Sequence, residues 1–160
     1  MQHCADAACQ CVFTHGGPLC NKHNRLKYGL FVDQSTLPAA GFGLFASREF
    51  PPHSFLCPYQ GDVLDIDSDT TEEEDQYTVS TGAHLLCAHR TKALGSQANT
   101  RLALSGKSVR RGCNADYVLR NGDEVWLKAT RRIREGEEIF CYYGRDYLCR
   151  LPLKASPGHT

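Results

Sequence analysis

The chain has 160 residues and a mass of 17.8 kDa, enough for one domain with a small appendage. Its 41% hydrophobic and 22% charged residues are ordinary globular usage and exclude a disordered chain, a coiled coil or a collagen-like repeat. Eighteen Lys and Arg balance eighteen Asp and Glu, so no general electrostatic grip on nucleic acid is expected, and no apolar run reaches the ~18 residues of a membrane span. The start, Met1-Gln2-His3-Cys4, lacks the basic stretch and apolar core of a secretion leader. With nine cysteines in such a chain, a reducing compartment (nuclear or cytoplasmic) is expected, where thiols are free, catalytic or metal-bound.

Residues 1–29 read as a small module without a core of its own, and four of the nine cysteines fall in its first twenty positions. Cys4-x4-Cys9 and Cys20-x2-His23 form two ligand pairs separated by ten residues, and Gly16-Gly17-Pro18 lets the chain reverse between them. Zinc takes four N or S donors in a tetrahedron, and two such pairs on two turns supply them. A segment so poor in core residues gains most of its order from a metal. Cys4, Cys9, Cys20 and His23 have the cleanest spacing; Cys11 is an alternative to Cys9, and His3 or His15 to His23.

Residues 30–40 look like a connector into the main domain, which spans 30–150 and leaves 151–160 as a tail. From residue 41 onward, short apolar runs are broken by Gly, Pro and Asn, which predicts strands and turns. Strands are expected at 41–47 and 54–60, with Pro51-Pro52 turning between them. Residues 62–75 carry eight carboxylates (Asp62, Asp65, Asp67, Asp69, Glu72, Glu73, Glu74, Asp75) and read as a solvated loop or short helix. A hairpin is expected over Thr81-Gly82-Ala83, joining 76–81 to 84–89, and 102–112 looks like loop. ADYVLR, Asn121-Gly122-Asp123 and EVWLKAT form a second hairpin signature, because Asn-Gly readily takes positive φ. EEIFCYYG supplies the last strand, and no long amphipathic helix is expected. The domain is therefore mainly β.

Three features of 41–147 share one explanation. Gly41-Phe42-Gly43 lets backbone approach a ligand closely. Asn99 and Asn114, in loop-like segments, can each fix a ligand or brace a crossing of two segments. GEEIFCYYG at 136–144 ends a strand on adjacent tyrosines. Together and in this order they resemble a SET domain, the protein lysine methyltransferase fold, across roughly residues 38–147. Gly41, Gly43 and Tyr59-Gln60-Gly61-Asp62 are similar to its opening strands, and Asp75-Gln76-Tyr77 to the start of its next strand. Asn99 occupies the asparagine place of its Asn-His-Ser motif, and Tyr143 that of the tyrosine before the closing glycine. The resemblance implies small curved sheets with a threaded C-terminal segment, preceded here by the Cys/His module.

It also implies methyl transfer from S-adenosylmethionine to a lysine ε-amine, on a histone or other lysine-bearing protein. By this resemblance Tyr143 orients the amine and the donor's departing methyl, Tyr59 and Tyr77 line the lysine channel or the donor's methyl end, and Gly41, Phe42, Gly43, Asn99, Thr100 and Tyr143 meet the methyl donor. No catalytic metal is needed, so Zn2+ would be structural. A nucleosome is one form the substrate can take, a homodimer could complete the groove, and no membrane partner is expected. A catalytically weak SET/PR-like interaction module is the alternative. Three departures stand out. Asn-His-Ser reads Asn99-Thr100-Arg101; Cys141 stands where Phe or Tyr usually tunes the methyl count, leaving room for two or three methyls; and after Tyr147 only Cys149 remains of the carboxy-terminal zinc cap, so LCRLPLK must cover the channel by packing.

Overall fold

In the computed structural model the described residues are 1–38, 40–102, 106–144 and the backbone of 155–157. Their elements in chain order are β1 (Gln2–His3), β2 (Val12–Phe13), α1 (Asn21–Tyr28), β3 (Leu30–Gln34), β4 (Phe42–Ala46), β5 (Phe55–Pro58), β6 (Asp62–Asp65), α2 (Glu72–Asp75), β7 (Thr78–Ser80), β8 (His84–Cys87), a 3-10 turn (Leu94–Ser96), β9 (Thr100–Leu102), β10 (Ser108–Val109), β11 (Ala115–Arg120), β12 (Glu124–Ala129), β13 (Glu138–Ile139), β14 (Cys141–Tyr142) and β15 (Ala155–Pro157). The expected mainly β architecture is what forms. Among the described residues no helix is long and apolar enough to cross a membrane.

The strands make several small sheets, ordered β13-β4-β3, β14-β11-β12-β5, β6-β8-β7 and β10-β9-β15, with β1-β2 in the N-terminal module. Both predicted hairpins form: β7 meets β8 around Gly82, and β11 meets β12 with Ala115 opposite Ala129 and Arg120 opposite Glu124. Inward residues of β3, β4, β5, β11 and β12 build the main core, with Leu30, Leu44, Leu127, Ile133 and Ile139 fully buried and Phe50 nearly so. Burial of such side chains contributes roughly 1.5–3 kcal/mol each and is the main force holding the sheets together.

Four local expectations need correction. The connector 30–40 contains β3, which pairs with β4 from Leu30↔Ala46 to Gln34↔Phe42. The acidic run begins as a strand, since β6 pairs with β8, and only its end is the short helix α2. Residues 102–112 include β10, which pairs with β9. EEIFCYYG is not one strand: β13 pairs antiparallel with β4, and β14 pairs parallel with β11. Between them Phe140 bridges to Asn99, so the segment threads from one sheet to another beneath the 94–99 stretch. Side chains close this crossing. Buried Asn114 donates from Nδ2 to the Glu138 carbonyl (3.0 Å) and accepts the Phe140 N–H on Oδ1 (2.9 Å).

Candidate functional site

Tyr59, Tyr117 and Tyr143 line a pocket of about 90 Å³, whose lining Asp75, Gln76, Thr78, Val79 and Ser96 complete. Strands place them: Tyr59 follows β5, Tyr117 sits within β11, and Tyr143 follows β14. The Tyr117 ring lies nearly perpendicular to Tyr59 (centroids 5.3 Å apart) and nearly parallel to Tyr143 (6.2 Å). All three hydroxyls donate to backbone carbonyls: Tyr59 to Tyr77 (2.5 Å), Tyr117 to Gly95 (2.9 Å) and Tyr143 to Ala98 (2.5 Å). Burial, with neighbouring thiol and phenol groups adding to it, pushes Tyr117 well above the usual phenol range, so its hydroxyl stays a neutral donor. The space is smaller than the ~150 Å³ that accepts a benzene ring. It suits the end of a flexible chain.

Tyr77 does not face this space. Its carbonyl supports Tyr59, while its ring lies against His89 (5.6 Å) and under the Lys92 ammonium (4.3 Å). Tyr117 takes the wall position instead; the sequence marked it only as part of a hairpin. Its signal was an aromatic at mid-strand, two residues after the buried Ala115. Cys141 is also absent from the wall. It is fully buried in the main core, behind the Tyr117 wall residue with which it interacts.

The second half of the site lies at the start of β4. Gly41 has φ +73°, and open space lies where its Cβ would project. Gly43 is glycine for a different reason: a Cβ there would come within 2.7 Å of Glu138 Oε2 and 3.3 Å of Asn99 Nδ2. Glu138, 5% exposed, is the organising group that sequence reading passed over. Its carboxylate accepts from Ser35 Oγ (2.7 Å), Thr36 N (2.7 Å), Thr36 Oγ1 (2.8 Å) and Asn99 Nδ2 (3.4 Å). Asn99 Nδ2 also donates to the Phe42 carbonyl (3.1 Å), and the Asn99 carbonyl accepts the Cys141 N–H (2.8 Å). Asn99 therefore braces the crossing and the glycine loop together. The Phe42 ring points outward, 45% exposed, and meets His15 at 4.4 Å. Fully buried Thr100 pairs with Ser108 (2.6 Å between hydroxyl oxygens), and Ser108 Oγ accepts the Tyr143 N–H (3.0 Å).

These two halves are joined by residues 95–99. Ser96 lines the cavity, Ala98 holds Tyr143, and Asn99 holds Phe42. Gly95 permits the approach, since a Cβ there would meet the Pro58 carbonyl at 2.7 Å. The expected cover over the channel, with Tyr147 and Cys149, lies outside the described residues.

Cys4, Cys9, Cys20 and His23 come together, with one ligand atom of each within 4.8 Å of the others. Cys9 and Cys20 sulfurs are 3.8 Å apart, and His23 Nδ1 lies 3.5 Å from Cys4 Sγ and 3.3 Å from Cys20 Sγ. A tetrahedral zinc with bonds of about 2.0–2.3 Å separates its donors by roughly 3.3–3.8 Å, so the spacing fits. His23 Nε2 faces Asp6 Oδ2 at 3.4 Å, a contact that fixes the ring with Nδ1 toward the sulfurs. Cys11 is exposed and, like His3 and His15, stands outside the group. Such a cluster could hold a metal ion.

The sequence matches the SET domain family over residues 41–144, and the chain belongs to that family. Solved structures with the same fold include the methyltransferase domain of human PR domain-containing protein 2, at 14% identity, covering 91% of this chain and 99% of that one with a TM-score of 0.56. A putative histone methyltransferase of Plasmodium falciparum is similar at 16% identity, covering 76% of this chain and 97% of that one with a TM-score of 0.54. A search of curated proteins returned no match.

Proposed function

We propose that this SET-domain chain is a protein lysine N-methyltransferase acting on a histone or a similarly basic lysine-bearing protein. The observation that carries the reading is the small cavity walled by Tyr59, Tyr117 and Tyr143, joined through 96–99 to the open backbone at Gly41. S-adenosylmethionine supplies an electrophilic methyl on a sulfonium. The Gly41–Gly43 backbone, with room beside Gly41, suits the amino-acid end of that donor.

The chain's own groups do the rest. A lysine ε-amine enters as ammonium, with a pKa near ~10.4 in water, and must arrive without its proton. The enclosed aromatic wall disfavours a strongly hydrated ammonium, while a permanent sulfonium cannot shed its charge and keeps its attraction to the ring faces. In the transfer the amine lone pair forms the N–CH3 bond, the S–CH3 bond breaks with its pair passing to sulfur, and the extra proton leaves to water. Tyr143, fixed by Ala98 and Ser108, holds amine and methyl in line, and such alignment supplies much of the acceleration. Asp75 on the cavity wall, at the end of an eight-carboxylate stretch, favours substrates whose lysine lies among other basic residues. Zinc on Cys4, Cys9, Cys20 and His23 has a structural role in this reading.

Incubation of mixed histones with donor labelled on its methyl group tests it. Labelled lysine should appear, and Tyr143→Phe should lower the rate at least about tenfold, since it removes the hydroxyl that locates the ring. Donor binding without any labelled product would favour the interaction-module alternative.

A further inference from the structure

The N-terminal module grips the segment that leads into the cavity wall. Gly16 N–H donates to the Lys92 carbonyl (2.7 Å), the Gly17 carbonyl accepts the Leu94 N–H (3.1 Å), and Gln2 Nε2 donates to the Thr91 carbonyl (2.5 Å). The loop that makes these bonds is shaped by the cysteine and histidine cluster around it. Buried Asn24, one residue after His23, donates to the Gly16 and Leu19 carbonyls (2.9 and 3.0 Å). Ala5, beside Cys4, donates to the Pro18 carbonyl (3.0 Å), and the Cys20 N–H donates to Cys4 Sγ (3.3 Å). Apolar packing at this junction is incomplete, because a partly open pocket of about 170 Å³ lies among Pro18, Leu19, Tyr28, Cys57 and Leu94.

The stretch gripped this way, 91–94, leads straight into the carbonyls of Gly95 and Ala98 that hold the Tyr117 and Tyr143 hydroxyls. We infer that the Cys/His module positions the cavity: a metal on Cys4, Cys9, Cys20 and His23 sets the Gly16–Pro18 loop, the loop sets 91–94, and 91–94 sets two of the three phenols. Gly16, Gly17 and Gln2 are positioning residues that touch no reacting atom. Besides the Asn99 bond to Phe42, the glycine loop is held by the β3–β4 ladder, so donor binding depends less on this grip. The consequence for turnover rests on the methyl-transfer reading; the consequence for local order does not.

Backbone hydrogen exchange on the zinc-loaded full chain separates the two. Chelation should speed exchange of the Leu94, Ser96 and Gln97 amides about tenfold or more while the β11–β12 hairpin keeps its protection. Gln2→Ala, which leaves all four cluster residues in place, removes two hydrogen bonds, one of them at Thr91, and should speed the same amides about fivefold. In the same variant the catalytic rate should fall severalfold with donor affinity unchanged. Unaltered exchange at 94–97 in both arms would overturn the inference. So would equal opening of β11–β12 on chelation, which would make the metal a general prop of the fold. Absence of turnover in the wild-type chain would sink the methyl-transfer reading and leave the exchange results to decide this one.

Discussion

Glu138 shows how much one buried side chain can organise. Among the described residues no cationic group is a hydrogen-bond partner, and its oxygens are held by the Ser35 and Thr36 hydroxyls, the Thr36 N–H and the Asn99 amide. Glu138→Ala leaves those donors facing a void, and each buried donor without a partner costs about 1–3 kcal/mol. The expected loss is at least about 3 kcal/mol in urea unfolding. A loss below about 1 kcal/mol would mean that the donors find other acceptors. Tyr143 and Tyr59 stood out in the sequence because each sits beside glycine-bearing motifs at a strand end. Glu138 did not, since a carboxylate among the polar residues that open EEIFCYYG gives no sign of which face it takes. Only the fold, which lays β13 against β4, turns it inward.

Among the elements, those coded by local chemistry were legible. Asn121 and Gly122 take φ of +55° and +87°, the backbone their dipeptide predicts, and the β11–β12 hairpin follows. Elements fixed by distant partners were not. α1 shows no apolar stripe and buries only Asn24; it is held by the Cys/His cluster at its first turn and by Asn21, whose side chain exchanges two hydrogen bonds with Val32. β6 hid in a charged run because its partner β8 lies some twenty residues on. The closing segment divides between two sheets because Asn114 and Asn99 pin Phe140 at the crossing. Asn114→Ala removes both side-chain bonds of that pin, from a residue with no exposure. It should cost about 2–5 kcal/mol and lower thermal stability accordingly. An unchanged midpoint would show that the crossing closes without it.

For the whole molecule, neutrality conceals separation. Eight carboxylates crowd into 62–75, while the other ten face all eighteen Lys and Arg. Titration adds a second whole-chain property. Burial pushes the Cys57 thiol from 9.0 to about 12 and raises Cys141 and Tyr117 well above their ordinary ranges. These groups keep their protons longer when folded. Above pH 9 the unfolded chain releases the Cys57 proton first, so stability falls as pH rises from 9 toward 12, at a limiting slope of about 1.4 kcal/mol per unit from that thiol. Urea midpoints at stepped pH should show the decline beginning near 9, and Cys57→Ala should flatten it. A midpoint constant to pH 11 would contradict the burial of that thiol.

The threaded crossing also bears on synthesis. Glu138 bonds to Ser35 and Thr36, about a hundred positions earlier, and Phe140 bridges to Asn99. β3 and β4 leave the ribosome long before the strand that completes their sheet. Until that strand arrives, their inner faces and the Ser35 and Thr36 donors have only water or a chaperone for company. Closure over such sequence separations is slow. The nascent protein therefore spends most of its elongation as an open cradle, and it locks only when its final third is threaded home.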